Sequence, residues 1–212
     1  MREYPVISWT ENGETRSARW RSERGVPPPR RVVIADDTMI ADAAYRLACE
    51  GTAILWRGDY QNARQLLQAI ARRADRKSRN AHPQPASLAT AFHLQRQARS
   101  QRARTLGMLL LPLADDYSIP LKRAPDVRQA SEEAYGPGTG PSVVSLRELL
   151  GLIGAHEWRK TGIEIPALGG RIHPHYGVFA PVRSEYVALV AEAPLPASAL
   201  PLAFDIGTGT GV

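Results

Sequence analysis

An acidic residue followed by three alternating glycines is the chemically most informative pattern in this chain. The segment reads Phe-Asp-Ile-Gly-Thr-Gly-Thr-Gly over 204–211, and an apolar run over 200–204 leads into it. Glycine lets the backbone turn sharply and lets a ligand approach without a Cβ in the way. A carboxylate at a strand end can pair with an ammonium group, and a following helix would present its N-terminus to the ligand. The pattern predicts a buried parallel strand that ends in a ligand-binding loop.

Residues 202–211, Leu-Ala-Phe-Asp-Ile-Gly-Thr-Gly-Thr-Gly, resemble the first motif of class I S-adenosylmethionine-dependent methyltransferases. In that family the acidic residue and the glycine loop contact the methionine part and the adenosine of the cofactor. The resemblance therefore implies S-adenosylmethionine as the cofactor and Asp205, Gly207, Gly209 and Gly211 as the residues that contact it. The spacing differs from the Gly-x-Gly-x-x-Gly of dinucleotide-binding folds. A flexible tail and another nucleotide-binding fold are the alternatives.

The segment before the motif extends the resemblance to about residues 163–212. Tyr-Gly-Val-Phe-Ala-Pro-Val-Arg-Ser-Glu-Tyr over 176–186, then an apolar helix, is similar to the entry of two methyltransferase subgroups. These are the small-domain ribosomal RNA guanine enzymes and the release-factor glutamine enzymes, both of which carry a separate N-terminal substrate domain. By analogy with these subgroups, Tyr176, Phe179 and Arg183 would line the cofactor pocket.

Two later motifs of that family do not occur in the sequence. One is the second acidic motif, which would hold the ribose hydroxyls, and the other is the Asn-Pro-Pro-Tyr type, which grips a planar target nitrogen. We therefore expect a fragment: an N-terminal domain with the first core strand, negligible methyl transfer by itself, and no catalytic residue that can be assigned. The acceptor is left open between RNA, a protein glutamine and a small molecule. A non-catalytic RNA- or protein-binding module is the competing interpretation.

Positive charge is concentrated in the middle of the chain. Between Arg64 and Arg104 ten arginine and lysine residues stand against one acid, Asp75, whereas the whole chain has a net charge of only +6. Such a region can attract polyanions. The residues predicted to contact RNA phosphates are Arg72, Arg73, Arg76, Lys77, Arg96, Arg99 and Arg102. A solvated helical face, or pairing with an acidic part of the protein that the expected fragment lacks, would explain the same charges.

The fold predicted from the remaining patterns is mixed α/β. Asn12-Gly13 predicts a hairpin turn within 4–24. A strand over 31–35, a helix capped by 36–38, a strand over 53–56 and a helix capped by Asp59 indicate a small α/β module. Further helices are predicted over 87–111, 127–135, 145–153 and 184–193, and extended pieces over 163–165 and 176–179.

A glycine- and proline-rich break divides the predicted fold into domains. Residues 1–135 would form an accessory or substrate-recognition domain and 136–142 a flexible linker. Residues 143–212 would supply the opening elements of an incomplete Rossmann-like methyltransferase core.

The remaining chemistry-bearing residues favour structural roles. Cys49 is the single cysteine of the chain, which rules out an internal disulfide and fits a reducing compartment. We expect its side chain to be buried as a small apolar group. His173 and His175 are too few for a metal site, and no metal is expected. The four tryptophans are expected in the core or at an interface. The sequence has no membrane-length apolar run and no secretion signal, which predicts a cytoplasmic protein.

Overall fold

The protein is a mixed α/β chain that divides into two compact units, Met1–Gly151 and Leu152–Val212. The computed structural model describes residues 4–80, 87–181, 184–194, 204 and 206–212, and of 77–80 and 184 it describes the backbone alone. The strands are β1 (Val6–Glu11), β2 (Glu14–Arg21), β3 (Arg31–Ala35), β4 (Thr52–Trp56), β5 (Leu109–Leu113), β6 (Ser142–Ser145), β7 (Ile163–Ile165) and β8 (Gly170–Ile172). The helices are α1 (Ala41–Cys49), α2 (Tyr60–Asn80), α3 (Leu88–Leu106), α4 (Arg128–Tyr135), α5 (Leu146–Thr161) and α6 (Ser184–Glu192).

A six-stranded mixed sheet organises the first unit, in the order β1-β2-β6-β5-β4-β3. The pairs β2–β6, β3–β4 and β4–β5 are parallel, whereas β1–β2 and β5–β6 are antiparallel. Every residue of β4 is buried. Because successive strand side chains point to opposite faces, both faces of the sheet are covered at this strand.

The predicted hairpin and α/β module are present. Asn12 and Gly13 both have positive φ angles, 54° and 81°, as the tight turn between β1 and β2 requires. The run β3-α1-β4-α2 has its two strands parallel. The Asp59 carboxylate accepts a hydrogen bond of 2.7 Å from the Gln61 backbone N–H and so caps α2. The apolar face predicted for this helix is buried, at Ala63, Leu66, Leu67 and Ile70.

The predicted long helix over 87–111 is wrong at its C-terminal end. Helix α3 ends at Leu106 with Gly107 as its C-cap, and the apolar run 109–113 forms strand β5. Proline cannot continue a helix, because it lacks the backbone N–H and its ring clashes with the preceding turn, so Pro112 suggested a helix that ends just before it. Proline in a strand likewise removes a ladder hydrogen bond. The ladder between β4 and β5 stops at Leu110, so the missing N–H of Pro112 breaks no bond to β4.

Two predictions about α1 are also corrected. The helix begins at Ala41 without a side-chain cap, because Asp36 accepts hydrogen bonds from Thr38 and Asp37 accepts one of 2.9 Å from the Asp59 backbone N–H. Cys49, the last residue of the helix, is exposed and not buried. It falls on the outer face, since Ala44 and Ala48 are the residues that α1 buries.

The segment predicted as a linker, 136–142, connects α4 to β6 inside the first unit. Strand β6 then lies between β2 and β5 in the sheet. Residue 151, at which the first unit ends, lies within α5. The division between the units is therefore not at the glycine- and proline-rich break.

The second unit is built from short elements. Strands β7 and β8 form an antiparallel pair around a 3-10 turn, Pro166–Leu168, and α6 packs against that turn. The predicted extended piece 176–179 is wrong: its residues form a turn, in which the Val178 backbone N–H donates to the His175 carbonyl at 3.1 Å. Gly177 has a φ of 80°, which ends any strand there.

The tryptophans fall into two groups. Trp20 and Trp56 are buried in the sheet of the first unit, and Trp9 is half-buried against it. Trp158 is exposed, against the prediction of a core or interface role. Among the described helices, none has both the length and the apolar character needed to cross a membrane.

Candidate cofactor loop and basic surface

The glycine-rich segment folds into a bend at 206–207 and a turn at 209–210. Gly207, Gly209 and Gly211 have φ angles of 84°, 56° and 74°. The Gly211 backbone N–H donates a 2.8 Å hydrogen bond to the Thr208 carbonyl, which closes one turn. Positive φ angles are costly for residues with a Cβ, so the alternating glycines match the backbone that the segment adopts.

The middle glycine lies against Phe179, one of the residues predicted to line the pocket. A Cβ at Gly209 would be 2.7 Å from the Phe179 carbonyl oxygen and 3.3 Å from its Cβ. Next to this contact, the Thr210 Oγ1 is buried and has no hydrogen-bond partner within the described part of the chain. The segment therefore packs closely on Phe179 and has a buried hydroxyl without a partner among the described residues.

The other predicted members of this site are placed only in part. Tyr176 is half-buried in the turn before Phe179. Asp205 and Arg183 lie outside the described residues, as do 200–203 of the predicted strand. Phe204, the last residue of that predicted strand, is 81% exposed and is not in a strand, and Ile206 is 95% exposed. The strand is thus not present at Phe204.

The predicted RNA-binding residues lie on two helices that pack together, α2 and α3. Arg72, Arg76, Arg96 and Arg99 are exposed, and within the described residues no ion pair is formed by Arg72 or Arg99. The side chain of Lys77 lies outside the described part. The two helices therefore place several guanidinium groups at the surface of one unit.

Two of the predicted residues are instead engaged in ion pairs. The Arg102 Nε lies 2.6 Å from the Asp75 Oδ1, and the Arg73 Nε lies 2.6 Å from the Asp42 Oδ1. The hydrogen bond from Arg73 lowers the pKa of Asp42, and the bond to Asp75 raises the pKa of Arg102. These two arginines join α2 to its neighbours α3 and α1, so the exposed cationic surface is smaller than the sequence indicates.

His173, the first of the two neighbouring histidines, is held by contacts with the backbone of its own unit. The His173 Nδ1 lies 2.6 Å from the Arg159 carbonyl oxygen, and its ring packs against Gly162, where a Cβ would be 2.8 Å from the His173 Cε1. Throughout the described ranges, no group of three or more histidine, cysteine or acidic residues is arranged to hold a metal ion.

Sequence reasoning passed over Arg21, the most deeply buried cation of the described chain. Its guanidinium lies over the rings of Tyr117 and Tyr135, and burial lowers its pKa. The sequence pattern that could have predicted this burial is the alternation Arg-Trp-Arg over 19–21. If Trp20 points to one covered face of a sheet, both arginines must point to the other.

The chain was compared with known proteins by sequence. Neither a scan against protein-family models nor a search of the curated proteins found a match. The motif and the geometry of the described residues around it are therefore the basis for a proposed function.

Proposed function

We propose that this chain takes part in methyl transfer from S-adenosylmethionine and that its glycine-rich segment is a loop that contacts the cofactor. The observation that carries the proposal is the positive φ angle at each of the three alternating glycines, with Gly209 against the backbone of Phe179. A Cβ at Gly209 would collide with Phe179, so only glycine lets the loop adopt this turn against a residue of the proposed pocket lining.

Each residue of the motif is proposed to meet one part of this cofactor. By analogy, Asp205 would pair with the ammonium group, and the backbone of the glycine loop would lie along the methionine part and the adenosine. The unsatisfied Thr210 hydroxyl is available as a further hydrogen-bonding group. Tyr176, Phe179 and Arg183 remain the proposed lining of the pocket.

The chemistry is mainly positioning. When bound, the cofactor supplies an electrophilic methyl group on a sulfonium, and the protein holds that group in line with a nucleophile. The motif that would grip a planar acceptor nitrogen does not occur in the sequence. We therefore expect negligible transfer of a labelled methyl group by the purified 212-residue chain.

The acceptor that the surface favours is RNA. The exposed arginines of α2 and α3 can neutralise backbone phosphates, which is the sequence-independent part of nucleic-acid binding. A protein acceptor would not require this concentration of charge. The non-catalytic alternative, a module that binds RNA without any cofactor, predicts the same surface but no response to S-adenosylmethionine.

Ligand-observed NMR separates these two functions. Saturation transferred from the full chain to millimolar S-adenosylmethionine should appear on both its methionine and its adenosine protons. Asp205→Asn and Gly209→Val should each weaken the transfer, because one removes the proposed ammonium partner and the other collides with Phe179 and displaces the loop. Glu185→Gln, an acidic-to-neutral change at the start of α6, serves as the matched control.

Equal transfer in all four proteins, or none in the unmodified chain, would contradict the proposal. RNA binding that persists in the absence of any transfer to the cofactor would instead support the non-catalytic module.

A further inference from the structure

Arg21 is buried without a hydrogen-bonding partner for two of its nitrogens. The residue is 3% exposed, and within the described chain the Nε and Nη2 groups have no acceptor. Its guanidinium carbon lies 5.1 Å from the ring centroid of Tyr117 and 5.2 Å from that of Tyr135. Both rings are within cation–π distance of the guanidinium, but this interaction gives the N–H groups no hydrogen-bond acceptor.

Other buried donors without partners lie on β2, on the neighbouring strand β6 and on helix α4. Arg19, two residues earlier on β2, acts electrostatically on Arg21, and its Nε is also buried without an acceptor. Ser142 pairs with Arg19 in the β2–β6 register, and its Oγ is buried and unpartnered. The hydroxyl of Ser131, one turn before Tyr135 on α4, is also buried without a partner among the described residues.

The polar groups beside this cluster already have partners. The Tyr117 hydroxyl donates to the Gly136 carbonyl at 2.9 Å, and the Tyr135 hydroxyl donates to the Glu148 Oε1 at 2.7 Å. The Glu148 Oε1 also accepts a 3.0 Å bond from the Glu23 backbone N–H. Glu23 interacts electrostatically with Arg21 but is itself exposed. A water molecule could accept hydrogen bonds here but would add no negative charge to that of Glu23.

We propose that the cluster formed by Arg19, Arg21, Ser131 and Ser142 binds a phosphate group. The members present donors and two positive charges, and a phosphate dianion offers acceptors on several oxygens and matching charge. The Nε and Nη2 of one guanidinium form the fork that holds two oxygens of such a group. This site lies in the first unit and does not depend on the glycine-rich loop.

The loop over 136–141 forms the cover of this phosphate site. The Arg19 backbone N–H donates to the Pro141 carbonyl at 3.3 Å, and the Arg19 side chain donates to the Thr139 hydroxyl. Gly138 lies directly against the backbone of Asp115, so closely that a Cβ on residue 138 would collide with the Asp115 carbonyl oxygen. Entry of a phosphate therefore requires this loop to move, and the bound ion would hold it down.

Inorganic phosphate is the probe for the test. The melting temperature of the full chain is measured in phosphate and in chloride at equal ionic strength and pH. We expect phosphate to raise it by about 2–4 °C, in a saturable way, because a ligand that binds only the folded state stabilises it. Arg21→Met should lose this rise, and Arg19→Gln should reduce it.

Controls separate the site from general effects of phosphate. Phosphate strengthens apolar burial in any protein, and it can also bind the arginines of α2 and α3. Arg16→Gln, on the same strand, and Arg99→Gln, on α3, should therefore keep the full saturable rise. An equal rise in Arg21→Met and the unmodified chain, or no saturable rise at all, would overturn the proposal.

A second measurement covers the case in which Arg21→Met does not fold. The arginine Nε–H signals of the unmodified chain are recorded by NMR while phosphate is added. A slowly exchanging Nε–H signal that shifts with phosphate, and is perturbed by Arg19→Gln, supports the site. Buried Nε–H signals that do not respond to phosphate would contradict it.

Discussion

Gly209 lies against the backbone of Phe179, so closely that a Cβ on residue 209 would be 2.7 Å from the Phe179 carbonyl oxygen. The two residues are thirty positions apart in the sequence and belong to different patterns. Gly209 belongs to the alternating glycine motif, and Phe179 belongs to the segment that precedes α6. Their contact is the structural relationship on which the proposed cofactor loop depends.

The first prediction concerns this contact. Gly209→Ala adds a clash and a strained φ of 56°, and should destabilise the turn by about 1–2 kcal/mol or more. Hydrogen exchange at the Gly211 amide, which bonds to Thr208, should then become about 5- to 30-fold faster or more. Gly207→Ala is the matched control, since it has a positive φ of 84° but nothing within 4 Å of its Cβ.

A larger effect of Gly209→Ala than of Gly207→Ala is therefore the expected result. Equal exchange rates in the two variants would show that the contact with Phe179 adds nothing to the turn.

The second prediction concerns acid stability. Arg57 donates hydrogen bonds of 2.9 and 2.7 Å to the two carboxylate oxygens of Glu11, and these bonds lower the pKa of Glu11 from its ordinary 4.5. A lowered folded-state pKa contributes stability that is full above the unfolded pKa and is lost as the pH falls through the folded value. The chain should therefore lose this contribution below about pH 4.5.

Glu11→Gln tests that contribution. Urea unfolding at neutral pH should show a loss of about 1–2 kcal/mol, and the remaining stability should fall less steeply in acid. Glu14→Gln is the control, because the Glu14 side chain is 74% exposed and lies 3.6 Å from Arg16. A change of the same size in the Glu14 variant would contradict the assignment.

The third prediction concerns the sheet. Leu110 is fully buried on β5, between β4 and β6, and Leu110→Ala should cost about 2–5 kcal/mol of unfolding free energy. Leu88→Ala, at the exposed start of α3, should change it by about 0.5 kcal/mol or less, since Leu88 is 92% exposed. Urea denaturation followed by circular dichroism measures both. Similar losses in the two variants would contradict the observed placement of β5.

The parts of the fold that follow from short-range patterns could be predicted from the sequence. Asn12-Gly13 determines its own turn through the positive φ angles that these residues tolerate, and Asp59 caps α2 through a bond within three residues. Strand β5 could not be predicted, because Pro112 is acceptable only where the ladder to β4 has already ended. That condition depends on a pairing between distant segments.

The same distinction applies to the candidate sites. The glycine spacing indicated sharp turns, and all three glycines have the positive φ angles that such turns need. The ion pair between Arg102 and Asp75 could not be read from helical spacing, since the two residues lie on different helices. The burial of Arg21 depends on the pairing of β2 with β6, which joins segments more than a hundred residues apart.

The fourth prediction concerns RNA. If the exposed arginines of α3 contact phosphates, replacing Arg96 and Arg99 by glutamine should reduce the salt slope of binding to single-stranded RNA by about 1.4. Arg102→Gln should have a smaller effect, because Arg102 is paired with Asp75. Fluorescence anisotropy at several salt concentrations measures the slopes, with Arg16→Gln on the hairpin as the control. Binding that does not depend on salt would contradict a phosphate-contacting surface.

The central claim is that the alternating glycines form a loop for S-adenosylmethionine, and the glycine amides test it most directly. The measurement is a titration of the isotope-labelled full chain with the cofactor, followed through the backbone N–H signals. We predict concentration-dependent shifts at Gly207, Gly209 and Gly211 and at Phe179, with no shift at Gly13 in the β1–β2 turn. Glycine signals that stay in place at millimolar cofactor would contradict the claim.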